Sequence, residues 1–140
     1  MRELTDHTIV VCGGGAGIGA ATAIRLAHEG AGIVVGDVNS AGTKRTAGTI
    51  NDAGGTAIGV EFDLADDASV DALIDRAVSE WGTVHGLFNC GADVSPQNIG
   101  RDTHLLDADF AVWRRTMEVN GHRGRRRVPV LRRCRSPKAP

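Results

Sequence analysis

An α/β fold built on a parallel sheet is predicted by two features of the sequence. Short runs rich in Val and Ile alternate with longer amphipathic stretches from residue 8 to residue 119, and such alternation puts helices in right-handed crossovers between parallel strands. A glycine-rich run, Gly13-Gly14-Gly15-Ala16-Gly17-Ile18-Gly19, separates the first apolar run from the first amphipathic stretch. At 140 residues the chain has room for one domain with a modest core.

Each element can be placed in turn. Thr8-Ile9-Val10-Val11 reads as a buried strand, and Ala20 to His28 as the helix after it. The second strand, Ile33-Val34-Val35-Gly36, ends on Asp37. Ser40 to Ala53 has helical character and stops at Gly54-Gly55, although Gly42 and Gly48 weaken it. Thr56 to Phe62 makes a third strand ending on Asp63. Asp66 is placed to cap a helix reaching Trp81, with Val70, Leu73, Ile74, Ala77, Val78 and Trp81 on one face. Gly82 stops that helix, and Val84 to Phe88 forms a fourth strand ending on Asn89. After a long loop holding Pro96, a helix is predicted near Asp107 to Val119 with Phe110, Trp113 and Met117 inward. Trp81 and Trp113 both count as core, and Arg114-Arg115 as a solvated face. The expected strand order is 3-2-1-4, with helices on both faces.

The glycine run points to a dinucleotide. Gly13, Gly17 and Gly19 let the backbone turn sharply and approach a pyrophosphate, which then lies against free N–H groups at a helix N-terminus. The spacing is G-x-x-x-G-x-G rather than the commoner G-x-G-x-x-G. Asp37 follows Gly19 by 18 residues, about where an acid meets a ribose hydroxyl. Gly13 to Gly19 as a mere flexible loop, with Asp37 closing a strand, does not account for the periodicities on either side.

Composition narrows the classes further. No apolar run approaches the ~20 residues of a membrane helix, and the N-terminus shows no signal-peptide hydrophobic region. Cys12, Cys90 and Cys134 have no paired spacing, which suggests a reducing, cytoplasmic compartment and no metal site. Cys12 and Cys90 fall at strand ends as small buried residues. His7, His28, His85, His104 and His122 have no ligand spacing and read as surface residues. Residues 1–120 carry 8 basic groups against all 17 acidic ones, a net charge of −9. Residues 121–140 carry 8 basic groups and no acidic one, with three of the four prolines. The chain therefore divides into a globular part, 1–120, and a basic tail, 121–140, expected to be disordered.

These residues resemble the short-chain dehydrogenases/reductases, through four segments in order. Cys12-Gly13-Gly14-Gly15-Ala16-Gly17-Ile18-Gly19 is similar to the family's T-G-x-x-x-G-I-G turn, with Cys for Thr. Phe62-Asp63-Leu64 is similar to the strand end that contacts adenine. Leu87-Phe88-Asn89-Cys90-Gly91-Ala92 resembles the N-N-A-G segment beside the cofactor, in degraded form. Trp113-Arg114-Arg115-Thr116-Met117-Glu118-Val119-Asn120 is similar to the helix bearing the active-site asparagine. The resemblance covers residues 5–120 and implies a Rossmann-type parallel sheet. It implies that Gly13, Gly15, Ala16, Gly17, Ile18, Gly19, Asp37, Asp63, Leu64, Asn89 and Gly91 bind the cofactor and that Asn120 holds a water in the proton relay. NAD is expected over NADP. Asp37 accepts hydrogen bonds from ribose hydroxyls and repels a 2′-phosphate, and neither Ala16 nor Val38 is the Arg or Lys of phosphate-preferring members. Two alternatives stay open: Asp63 could simply cap the next turn, and Asn89 could simply satisfy backbone groups at its strand end.

Beyond Asn120 the resemblance stops. The family continues to a fifth strand bearing a serine and then a Tyr-x-x-x-Lys helix, whereas this chain has no tyrosine at all. The tyrosine passes the proton as hydride moves, and with a reference pKa of ~10 it needs the lysine's help near neutral pH. Ser136 and Lys138 lie in the basic tail and take no role. The expectation is a sheet truncated after the fourth strand and its following helix, from a frameshifted or shortened gene, inactive as it stands. An alcohol or ketone would be the substrate of a full-length form only. The outer edge of the fourth strand would favour self-association. Two other classes compete: a non-catalytic nucleotide-binding or regulatory module, and a nucleic-acid binder using the arginine-rich tail. The acidic globular part and a tail without stacking aromatics stand against the second.

Overall fold

The computed structural model describes residues 3–100, 104, 107 and 109–121. Strands and helices alternate as β1 (Thr8–Cys12), α1 (Gly17–His28), β2 (Gly32–Asp37), α2 (Ser40–Asp52), β3 (Thr56–Glu61), α3 (Asp67–Trp81), β4 (Gly86–Asn89) and α4 (Phe110–Thr116). A π-helical turn, Met117–Gly121, continues α4. The four strands are parallel and ordered β3-β2-β1-β4, as the sequence predicted. The expected tail, with Ser136, Lys138 and the nucleic-acid reading built on it, lies outside the described residues save for Gly121.

The period of two along the strands sorts the core into two layers. Val10, Cys12 and Val34 face α3, where Leu73, Ile74 and Ala77 pack with Phe62, Leu64 and Val84. Val11, Ile33 and Val35 face the other way, against Ala23 and Ala27 of α1 and Ala47 and Ile50 of α2. Central strands covered on both faces must be apolar at every position, which is why β1 and β2 are runs of Val and Ile. The predicted apolar face of α3 is the one that packs: Val70, Val78 and Trp81 flank the same cluster.

Local chemistry explains the boundaries. The Asp66 carboxylate accepts the Ala68 N–H at 3.1 Å and caps α3, and Gly82 ends it in the left-handed conformation at φ 78°. Asn39 caps α2 through the Gly42 N–H. The first helix begins at Gly17, three residues before the predicted start, because the glycine run itself forms its first turn. The fourth strand begins at Gly86 rather than Val84. Ahead of it His85 replaces regular pairing: its N–H donates to the Thr8 carbonyl at 2.8 Å, and its Nδ1 accepts the Thr8 N–H at 2.9 Å. His85 also lies beside His7, with ring centroids 4.8 Å apart.

One expectation is overturned. Phe110, Trp113 and Met117 do not face inward; they are 64%, 52% and 39% exposed, so Trp113 is not core. Val112 and Val119, on the opposite side of the helix, are buried instead. The segment carries apolar side chains on two faces, and periodicity alone cannot choose which one meets the sheet. Phe110 and Trp113 stack on each other at 5.6 Å, and the Arg114 guanidinium lies 5.2 Å from the Phe110 ring centre.

Candidate functional site

The carboxyl ends of β1, β2 and β4 converge at one crest of the sheet, where a doubly wound fold places its ligands. The chain leaves β1 at Cys12 and reverses at Gly13, whose φ of 79° is accessible to glycine at little cost. The N–H groups of Gly13 and Gly14 both donate to the Gly36 carbonyl, at 2.8 and 3.0 Å, so the turn is strapped to β2. Gly15 N–H donates to Asp37 Oδ2 at 3.0 Å, and Asn39 N–H donates to Asp37 Oδ1 at 3.0 Å. Each oxygen of Asp37 thus has one backbone partner, and the carboxylate is fixed beside the turn.

The glycines of the run differ in what surrounds them. A Cβ on Gly19 would run into the Gly13 carbonyl oxygen and lie 2.8 Å from Cys90 Sγ. A Cβ on Gly13 would lie 2.7 Å from the Gly91 nitrogen, and one on Gly15 would lie 2.9 Å from the Asp37 carboxylate. Only Gly17 of this group, at φ 52°, points its missing Cβ at open space, with nothing beyond its own stretch of chain within 4 Å among the described residues. Ala16 caps α1 without a side-chain hydrogen bond, which leaves first-turn N–H groups for a ligand. Ala16 and Ile18 both lie on the surface at this point, Ile18 being 75% exposed. An open patch at a helix start, floored by closely packed glycines, is a cradle that fits a phosphate.

The other predicted residues border the same crest with unequal roles. Leu64 is buried, and its Cδ1 occupies the space that a Cβ on Gly91 would need, so the segments that follow β3 and β4 meet there. Asp63 caps its own turn: Oδ1 accepts the Ala65 N–H at 2.6 Å, and the Asp63 N–H donates to Ser69 Oγ at 2.9 Å. That is the plainer of its two open readings. Asn89 is exposed at the end of β4. Asn120, in the π-helical turn, accepts the Asp93 N–H through Oδ1 at 3.3 Å and so ties the last helical segment to the loop after β4.

Several contacts at this crest were not foreseen from the sequence. Arg45 reaches from α2 to donate to the Gly15 carbonyl at 3.0 Å. Arg115, expected on a solvated face, is exposed yet pairs with Asp93 at 2.9 Å. Asn98 is buried and bridges the Asp93 carbonyl and Thr116 Oγ1. The Ser95 side chain, then the Arg115 guanidinium and the Ser95 N–H, hold the Asp93 carboxyl below the usual carboxylate range. Burial, with Asp37 adding to it, pushes the Cys90 thiol up, so it stays protonated and faces the carbonyls of Cys12 and Gly13. The bonds of Arg45 to Gly15, Arg115 to Asp93, Asn98 to Thr116 and Cys90 to Cys12 have no sequence signal, because each joins positions far apart along the chain.

Comparison with known proteins agrees with this geometry. The family model for short chain dehydrogenases matches residues 7–122. A cis-4-hydroxycyclohexanecarboxylate dehydrogenase of Sinomonas cyclohexanicum is 39% identical over 119 residues, covering 85% of this chain and 45% of the relative. A short-chain reductase of Streptomyces niveus is 40% identical over 115 residues, covering 82% of this chain and 42% of the relative. The chain thus spans less than half the length of these relatives. Among solved structures, a 7α-hydroxysteroid dehydrogenase in complex with NADH and 7-oxo glycochenodeoxycholic acid superposes with a TM-score of 0.73. It is 31% identical, over 85% of this chain and 44% of its own. By the family model, by its relatives and by its sheet, this chain belongs to the short-chain dehydrogenase family of oxidoreductases.

Proposed function

We propose that this chain is a nucleotide-binding half of a short-chain oxidoreductase, that it takes NAD over NADP, and that in its 140-residue form it binds coenzyme without turning over an alcohol or ketone. The observation that carries the reading is the bond from Gly15 N–H to Asp37 Oδ2 at 3.0 Å, which sets a carboxylate at the lip of the glycine turn. A carboxylate there accepts hydrogen bonds from ribose hydroxyls and repels a 2′-phosphate. The solved relative bound to NADH supports a nicotinamide coenzyme. Gly13, Gly15, Ala16, Gly17, Ile18 and Gly19 would follow the pyrophosphate, Asp63 and Leu64 the adenine, and Asn89 and Gly91 the nicotinamide side. The bound dinucleotide would supply the hydride donor or acceptor. Of this chain's own residues, Asn120 would hold a water near the reacting oxygen, while no tyrosine is present to move the proton. Such proton transfer is worth ~10²–10⁴-fold in rate. The same lack favours, as a second reading, a nucleotide-binding module without catalysis. Among the described residues no helix is long and apolar enough to cross a membrane, and the reading places the protein in the cytoplasm.

Calorimetric titration of the folded chain tests this. NAD is expected to bind more tightly than NADP by about tenfold or more, a difference of ~1.4 kcal/mol, and Asp37→Ala is expected to remove the preference. No NADH is expected to form with alcohols. A flat NAD titration would refute the coenzyme assignment, and sustained NADH production by protein free of host dehydrogenases would refute the inactivity.

Among the described residues, β4 pairs only with β1, and its other edge presents unpaired N–H and C=O groups. Such an edge is a template for a second chain. The reading therefore includes self-association through residues 86–89. Light scattering should show mass rising with concentration, together with slowed hydrogen exchange along that strand. A concentration-independent monomer would end this part of the proposal.

A further inference from the structure

Gly15 is held from both sides. Its N–H donates to Asp37 Oδ2, and its carbonyl accepts from Arg45 Nη2, each at 3.0 Å. The two bonds act on successive peptide planes, so together they fix both backbone dihedrals of Gly15. Because C=O and N–H of a trans peptide point in opposite directions, a Gly15 carbonyl drawn towards Arg45 turns the Ala16 N–H away from α2. Gly42 lies one turn before Arg45 on the same side of α2, and a Cβ there would sit 2.7 Å from the Gly15 oxygen. The missing side chain at Gly42 is therefore what lets α2 dock on the turn and bring Arg45 within reach. That accounts for a glycine that weakens the helix by propensity alone.

We propose that Arg45 is a positioning residue that sets coenzyme preference without touching the coenzyme: by holding Gly15 it aims Asp37 at the ribose. This rests on the coenzyme reading above. NAD gains from a well-aimed carboxylate through its ribose hydroxyls. NADP, whose 2′-phosphate that carboxylate repels, has fewer such bonds to lose. Loosening Gly15 therefore costs NAD more than NADP.

The test is calorimetric titration of the full 140-residue chain and its variants with NAD and with NADP, alongside thermal melts. Arg45→Ala is expected to weaken NAD binding about three- to tenfold, the equivalent of one hydrogen bond, and to narrow the NAD:NADP ratio. The melting temperature should stay within about 2 °C, since Arg45 is exposed. Arg45→Lys, which keeps a cationic donor, should restore part of the ratio. In an Asp37→Ala background, replacing Arg45 should leave the ratio unchanged, since the two residues act as one unit. Equal losses for NAD and NADP, no loss at all, or a ratio that still shifts without Asp37 would each overturn the role of Arg45 while leaving the coenzyme site standing. A folded wild-type chain that binds neither dinucleotide would overturn both.

Discussion

Replacing Gly17 with valine is expected to remove dinucleotide binding while leaving the domain folded. Among the described residues nothing outside its own stretch of chain lies within 4 Å of the Cβ position at Gly17, so the new side chain meets no wall. It enters instead the open space at the start of α1, where the proposed phosphate would sit. The fold loses only the cost of an L-residue at φ 52°, about 1–2 kcal/mol. The ligand loses backbone hydrogen bonds to a charged group, worth about 1.5–3 kcal/mol each. Loss of two such bonds corresponds to roughly 100-fold or more in affinity. Calorimetry with NAD and a thermal melt on the same sample decide it. A variant that melts a few degrees lower and still binds NAD normally would show that the phosphate path does not cross Gly17.

Gly19→Ala is expected to do the reverse, damaging the fold through a single added methyl group. Its Cβ would collide with the Gly13 carbonyl oxygen and press on Cys90 Sγ at 2.8 Å. The first obstacle is backbone, pinned on one side by β1 and on the other by two bonds to Gly36. It cannot give way as a flexible side chain would. Overpacking of this kind costs about 3 kcal/mol, which in a domain of this size lowers Tm by roughly 10 °C. Gly17→Ala is the comparison: it adds the same methyl group where there is room and costs only the strain of an L-residue at φ 52°, about 1–2 kcal/mol, so it should melt above Gly19→Ala. Equal melting temperatures for the two variants would show that α1 shifts away from the turn and that the collision costs no more than that strain.

The site was only partly legible beforehand, and the reasons differ by residue. Gly13, Gly17, Gly19 and Asp37 could be read because backbone turns and strand ends demand particular residue types at short, fixed spacings. Asp63 had two readings, and its bond to the Ala65 N–H shows it at least capping its own turn. Arg45 was invisible: nothing within α2 distinguishes an arginine reaching a carbonyl thirty residues back from one pointing at water. Asn98 and Arg115 depend likewise on how the loop after β4 folds onto α4.

The sheet itself followed from the sequence. Four apolar runs separated by amphipathic stretches admit few arrangements once crossovers must be right-handed, and the order β3-β2-β1-β4 is one of these. Only tertiary structure could orient α4. Its Phe110, Trp113 and Met117 offered one apolar stripe, and Val112 and Val119 offered another. A period of 3.6 residues describes both stripes equally well. What chose between them was the core layer that holds Val10, Phe62 and Leu73, which Val119 joins. Close packing selects by shape, and shape exists only after the strands have met.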